Sequence, residues 1–146
     1  MQASGSRGFG VLAAGVPLLL PQGEPLEYLA DAVVHWLPGA GERVAGLLQL
    51  RGVPIVVLDP AAAPARAAPA RRRLGVLVIG HAPEGAALVV DGPPAPLETF
   101  PARAASQRPD CAFAAALGEP VAEAADPGRL WWGFDARRLF AALAST

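Results

Sequence analysis

The sequence predicts a mainly β domain closed by a single short helix at its C-terminus, and three observations predict it. Two apolar runs, Val44–Leu50 and Val53–Leu58, flank an Arg51-Gly52 pair, and each is too short for a helix of ordinary length. Two more runs, LGVLVIG over residues 74–80 and AALVVD over 86–91, are continuously apolar, as strands covered on both faces are. Near the end, the strand-like Leu130–Phe134 leads into Asp135 and Ala136–Ala144. There Leu139, Phe140 and Leu143 fall on one helical stripe, and Asp135 has the side chain of an N-cap.

The remaining elements follow in order. Residues 9–13 and 16–20 read as strands meeting at Ala14-Gly15, a plausible hairpin turn. Arg7 and the apolar stretch behind it mimic a signal peptide, but Pro17 interrupts the stretch and no Ala-x-Ala site follows, so a first hairpin is expected instead. Residues 24–29 are ambiguous; read as a strand, they put Glu27 on the face opposite Leu26 and Tyr28. Residues 31–37 follow and end at Pro38-Gly39, a turn signal. Between the central runs the bend should fall at Arg51 to Pro54, because Gly52 tolerates positive φ and Pro54 has no N–H for a ladder. Arg51 is thereby left at an exposed corner between buried strands.

Residues 60–73, PAAAPARAAPARRR, hold no apolar side chain larger than alanine. Such a segment buries too little surface to offset its ordering entropy and reads as a mobile loop, with Arg71, Arg72 and Arg73 as its solvated end. A loop around His81 separates the next two strands. Residues 101–109 form a second long loop, and 112–117 and 120–125 are weak elements masked by alanine.

Composition excludes several functions. The chain has 146 residues, of which 53% are hydrophobic, enough to bury a core. Its 12 basic residues are all arginine and its 13 acidic residues leave a net charge of −1, so nucleic acid is not an expected partner. No apolar run approaches the ~18 to 20 residues needed to cross a bilayer, so direct membrane insertion is not expected. Cys111 is the single cysteine; it agrees with a reducing compartment and reads as a small core filler.

Catalytic signals are sparse. Gly39-x-Gly41 lacks a third glycine at dinucleotide spacing, and Gly41-x-x-x-x-Gly46 precedes leucines in a chain without lysine. No Gly-x-Ser-x-Gly occurs, and His35, His81 and Cys111 are far apart in sequence, so neither a nucleophile elbow nor a zinc site is expected. Asp59, Asp91 and Asp135 each follow an apolar strand, which suits strand-end and cap roles better than paired catalytic carboxylates.

The run Gly46-Leu47-Leu48-Gln49-Leu50-Arg51-Gly52, followed by Val53 to Asp59, resembles the CheW family of chemotaxis adaptors. Members carry Gly-apolar-apolar-Asn-Leu-Arg-Gly and then an apolar strand ending in Asp. Gln49 departs from the usual Asn, and the mid-strand proline comes early, as Pro54. Val90-Asp91 and the strand-Asp-helix ending also match, and the resemblance extends over roughly residues 9–143. It implies two small SH3-like β-barrels sharing a hydrophobic seam, with a short C-terminal helix, as one CheW-like domain over 1–146. It also implies a non-catalytic cytoplasmic adaptor, with no cofactor or metal, joining a chemoreceptor's cytoplasmic tip to a CheA-type histidine kinase. A chemotaxis or a pilus-linked system is equally compatible.

Carried over by position, the partner-binding residues are Glu27, Gly46, Leu50, Arg51 and Gly52. Gly46 would permit close backbone approach, and Glu27 and Arg51 would supply complementary charge. Relatives carry a short helix where residues 60–73 lie and an extended segment where Pro93, Pro94 and Pro96 stand, so that last strand should be shortened or lost. Two alternatives remain: a degenerate scaffold or inhibitor lacking one interface, and a small β-barrel enzyme or ligand-binding domain unrelated to signalling.

Overall fold

The short apolar runs pair into two closed five-stranded barrels in a computed structural model that describes residues 5–61, 70–81, 84–102 and 107–145. The first barrel combines β1 (Ser6–Ala13) and β2 (Val16–Leu19) with β8 (Ala95–Pro101), β9 (Leu117–Glu123) and β10 (Leu130–Phe134), in the order β1-β2-β10-β9-β8. The second is formed by β3 (Leu26–His35), β4 (Val44–Leu50), β5 (Val53–Leu58), β6 (Arg71–Ile79) and β7 (Ala86–Val89), in the order β3-β4-β5-β7-β6. Each closes through one parallel contact, Leu18 beside Trp132 in the first and Val57 and Leu58 beside Ala87 and Leu88 in the second. Helix α1 (Ala136–Ala144) follows, and the Asp135 carboxylate accepts the Arg138 N–H at 3.0 Å as its N-cap. Among the described residues no helix is long and apolar enough to cross a membrane.

Two hairpins turn on the same geometry. Ala14 and Gly15 have φ of 49° and 79°, and Arg51 and Gly52 have 49° and 81°. These are the paired positive values of a type I′ turn, whose twist matches that of the flanking strands. The second turn is thus confined to Arg51-Gly52, and Pro54 belongs to β5 rather than to the bend. A two-residue loop makes Leu50 and Val53 exchange hydrogen bonds, so the next pair, Gln49 and Pro54, exchanges none and the missing N–H goes unasked.

The same logic bears on the strand expected to be shortened or lost near Pro93 to Pro96. β8 forms, and Pro96 lies opposite Phe9. The Phe9 carbonyl already accepts from Leu20 on the β2 side, so the Phe9–Pro96 pair is not hydrogen-bonded. β9 joins β8 only from Thr99 onward, so no ladder needs a donor from Pro96. Three further boundaries move. Residues 24–29 and 31–37 are parts of one strand, β3, interrupted by a bulge between Leu29 and Ala32. Arg71, Arg72 and Arg73 lie in β6 opposite His35, Val34 and Val33, not at a loop end. Residues 117–123 form β9, hidden from sequence reading by Gly118 and Pro120. The loop expected over 60–73 falls mainly on residues 62–69, outside the described residues, as do parts of the loops at His81 and at 101–109.

Two cores account for the uninterrupted apolar strands. On β6, Val76 and Val78 face the interior of the second barrel with Val34, Leu48, Ile55, Val57 and Ala87. Their neighbours Leu77 and Ile79 face outward into a larger seam. There they meet Val11, Ala13 and Leu18 of the first barrel, Leu88 and Val90, and Leu139 and Leu143 of the helix. Period-2 alternation therefore supplies two different cores from one strand. The first barrel's own interior is tight at Gly10, where a Cβ would approach Leu97 and the Trp131 ring.

Candidate functional site

The corner arginine meets the glutamate of β3. Arg51 Nη2 donates to Glu27 Oε1 at 2.8 Å and Nη1 donates to Oε2 at 3.2 Å, a two-pronged geometry that suits guanidinium and carboxylate. The hydrogen bonds, with the charge attraction behind them, hold the Glu27 carboxyl below its ordinary range and raise Arg51. The side chains are 71% and 39% exposed, so water screens the pair and its stabilising effect is small. It clasps the β4–β5 hairpin tip to the start of β3 within one barrel. A partner seeking either charge meets a preformed ion pair.

The other residues singled out from the sequence take different places. Leu50 is half-buried and packs on the interior core of the second barrel. Gly52 is exposed in the turn with φ 81° and nothing near its missing Cβ. Gly46 is buried where β4 bulges between Val44 and Gly46, opposite Val57, with φ 144°. A Cβ there would overlap the His35 carbonyl oxygen and lie 2.7 Å from its carbon. The close backbone approach permitted by Gly46 is thus made by the chain's own β3.

Beside the clasp lies an apolar surface that sequence reading missed. An open groove of about 730 Å³ runs along the join of the barrels, lined by Arg7, Phe9, Leu20, Pro21, Leu26 and Leu97 among others. A smaller one of about 330 Å³ lies under Arg51, between Leu26, Glu27, Leu50 and Val53. The two share Leu26. Phe9 is 54% exposed, Val53 41% and Leu26 37%, so three large apolar side chains stand in water along one continuous surface. Phe9 alternates with the buried Val11 and would be assigned to the same covered face.

Arg7, Glu24 and Glu98 also line the larger groove and His81 the smaller, whereas the other ionisable groups singled out from the sequence lie elsewhere. Asp59 is half-buried where β5 ends, and desolvation pushes its carboxyl above the usual range, with neighbouring Asp91 adding to the rise. It accepts the Ala61 N–H at 2.9 Å, while Asp91 accepts the Gly15 N–H at 2.8 Å and Asp135 caps the helix. All three carboxylates hold backbone at the ends of elements. Burial pushes the Cys111 thiol up, away from the thiolate form that reacts. Among the described residues no group of three or more His, Cys, Asp or Glu could hold a metal ion.

Asp59 yields a pH-dependent expectation. A carboxyl whose folded pKa is raised contributes stability that is fully present below its unfolded pKa, about 3.9, and is lost as pH rises through the folded value. Asp59→Asn keeps an acceptor for Ala61 and removes that titration. Urea midpoints should therefore shift in favour of the variant as pH rises from about 3 to 7. The Glu27 contribution, which runs the other way, is common to both proteins and cancels. A difference that stays flat with pH would contradict the assignment.

A scan against models of known protein families finds no match to this chain, and a search of curated proteins finds none either.

Proposed function

We propose that this chain is a non-catalytic signalling adaptor similar to CheW, which couples a chemoreceptor's cytoplasmic tip to a CheA-type histidine kinase in the cytoplasm. The observation that carries the reading is the exposed apolar surface of Phe9, Leu26 and Val53 at the join of the barrels, bordered by the Glu27–Arg51 clasp. Large apolar side chains clustered in water mark sites that another protein covers. The Leu50-Arg51-Gly52 corner and the paired barrels support the same reading.

Calorimetric titration of the purified chain with receptor-tip fragments and with the CheA-type kinase of the same organism tests it. Binding of both in the wild type is expected. Phe9→Ser and Arg51→Glu should each weaken receptor binding by on the order of tenfold or more, since one loses a buried anchor and the other places two carboxylates together. Both residues are exposed, so melting temperatures should fall by no more than about 4 °C. A wild-type chain that binds neither protein ends the adaptor reading.

One observation favours a second reading. A groove of about 730 Å³ lies within the roughly 300–1,000 Å³ range of small-molecule sites. In a ligand-binding domain, an apolar small molecule would raise the melting temperature of the wild type and not of Phe9→Ser.

A further inference from the structure

The second barrel carries another surface on residues that do not line the grooves. Strand pairing sets Arg71 opposite His35, His35 opposite Leu47, and Leu47 opposite Val56. Residues directly opposite one another in antiparallel strands project to the same face. Their sequence neighbours Val34, Leu48, Ile55 and Val57 point into the barrel core, so this row of four points outward across β6, β3, β4 and β5. Pro54 and Gln49 continue the same face and are exposed.

An outward sheet face ordinarily reads polar. This one has aliphatic side chains on two adjacent strands, Val56 being 40% exposed, with Arg71 and His35 along one side. The next outward arginine, Arg73, is matched by Asp31 at 2.8 Å. Arg71 and His35 have no carboxylate partner among the described residues. Most other arginines among the described residues also lack a carboxylate partner, so what marks this face is an exposed guanidinium set beside an apolar strip. A carboxylate from outside would complete it as Asp31 completes Arg73.

We infer that this face docks a second protein, one whose contact segment presents an acidic side chain to Arg71 and His35 and an apolar one to Leu47 and Val56. The inference goes beyond the adaptor reading and does not rest on it. Exposed arginine beside aliphatic side chains is a composition that interfaces favour.

The test is photo-crosslinking in cells of the organism that carries the full chain. A benzophenone amino acid replaces Val56, and the crosslinked peptide of the partner is identified by mass spectrometry. The expected adduct joins one other protein through a segment with Asp or Glu within a few residues of the crosslink. Arg71→Glu should reduce its yield at least tenfold while leaving the melting temperature within about 4 °C. Absence of an adduct, an adduct to a second copy of this chain, one to a segment without acidic residues, or a yield indifferent to Arg71→Glu each overturns the inference.

Discussion

Gly46→Ala should lower the stability of the protein by about 2–6 kcal/mol. Two penalties coincide at this position. A φ of 144° is essentially closed to residues with a Cβ. The new methyl group would also overlap the His35 carbonyl and lie 3.2 Å from the Trp36 Cα, and backbone cannot swing aside as a side-chain tip can. Strain and overpacking of these kinds each cost about 1–3 kcal/mol. Their sum is a large part of the ~5–15 kcal/mol by which a domain is stable. Gly52→Ala is the matching control: its φ is also positive, but nothing lies within 4 Å of the missing Cβ, so only the strain remains. Denaturant melts of both variants check the pair; a Gly46→Ala protein as stable as Gly52→Ala would refute the crowding. A signalling defect in Gly46→Ala is therefore to be read as loss of fold before loss of contact.

Leu88→Ala should lower the stability of both barrels together, by about 2–5 kcal/mol. Leu88 is fully buried in the seam, not in either barrel's private interior. It lies opposite Leu77 on β6 and beside Leu58 on β5, and those residues share the cluster with Val11, Leu18 and Trp132 of the first barrel. Truncation opens a cavity against elements of both, so the loss cannot stay in one. Tryptophan fluorescence and far-ultraviolet circular dichroism should report one common midpoint, shifted to lower denaturant. Separate midpoints for the two signals would show that the seam does not couple the barrels.

Much of this architecture was legible because strands declare themselves by length and alternation. Residues 74–80 and 86–91 announced burial on two faces, and each face proved to have its own core. Asp135 and the stripe of Leu139 and Leu143 gave the helix its start and its buried side. The pairing of strands into two barrels came from resemblance, since periodicity does not say which strand lies beside which. Prolines misled where only residue type was weighed. Pro54, Pro96 and Pro120 all stand inside strands, and whether a strand tolerates proline depends on which way its N–H would point, a property of register. Glu27 and Arg51 were legible as a charged corner, but their contact spans 24 positions in sequence and no local pattern records it. Exposure of Phe9 was illegible for a related reason: alternation tells which face a side chain takes, not where the covering layer ends.

The chain order of the strands has a consequence for synthesis. The second barrel is made from one uninterrupted stretch, β3 to β7, whereas the first is assembled from both ends of the chain, with β1 paired to β8 and β2 to β10. On a ribosome the second barrel can close once Val89 has emerged. The first must wait for residues some forty positions later, and until then the β1–β2 hairpin has only β8 to pair with. During that interval the outer faces of β6 and β7, with Leu77, Ile79 and Leu88, stand bare to water. Non-local pairing of this kind is slow, and apolar surface exposed meanwhile invites association with other chains. The nascent protein is thus most vulnerable after its second barrel has folded and before its last strands arrive.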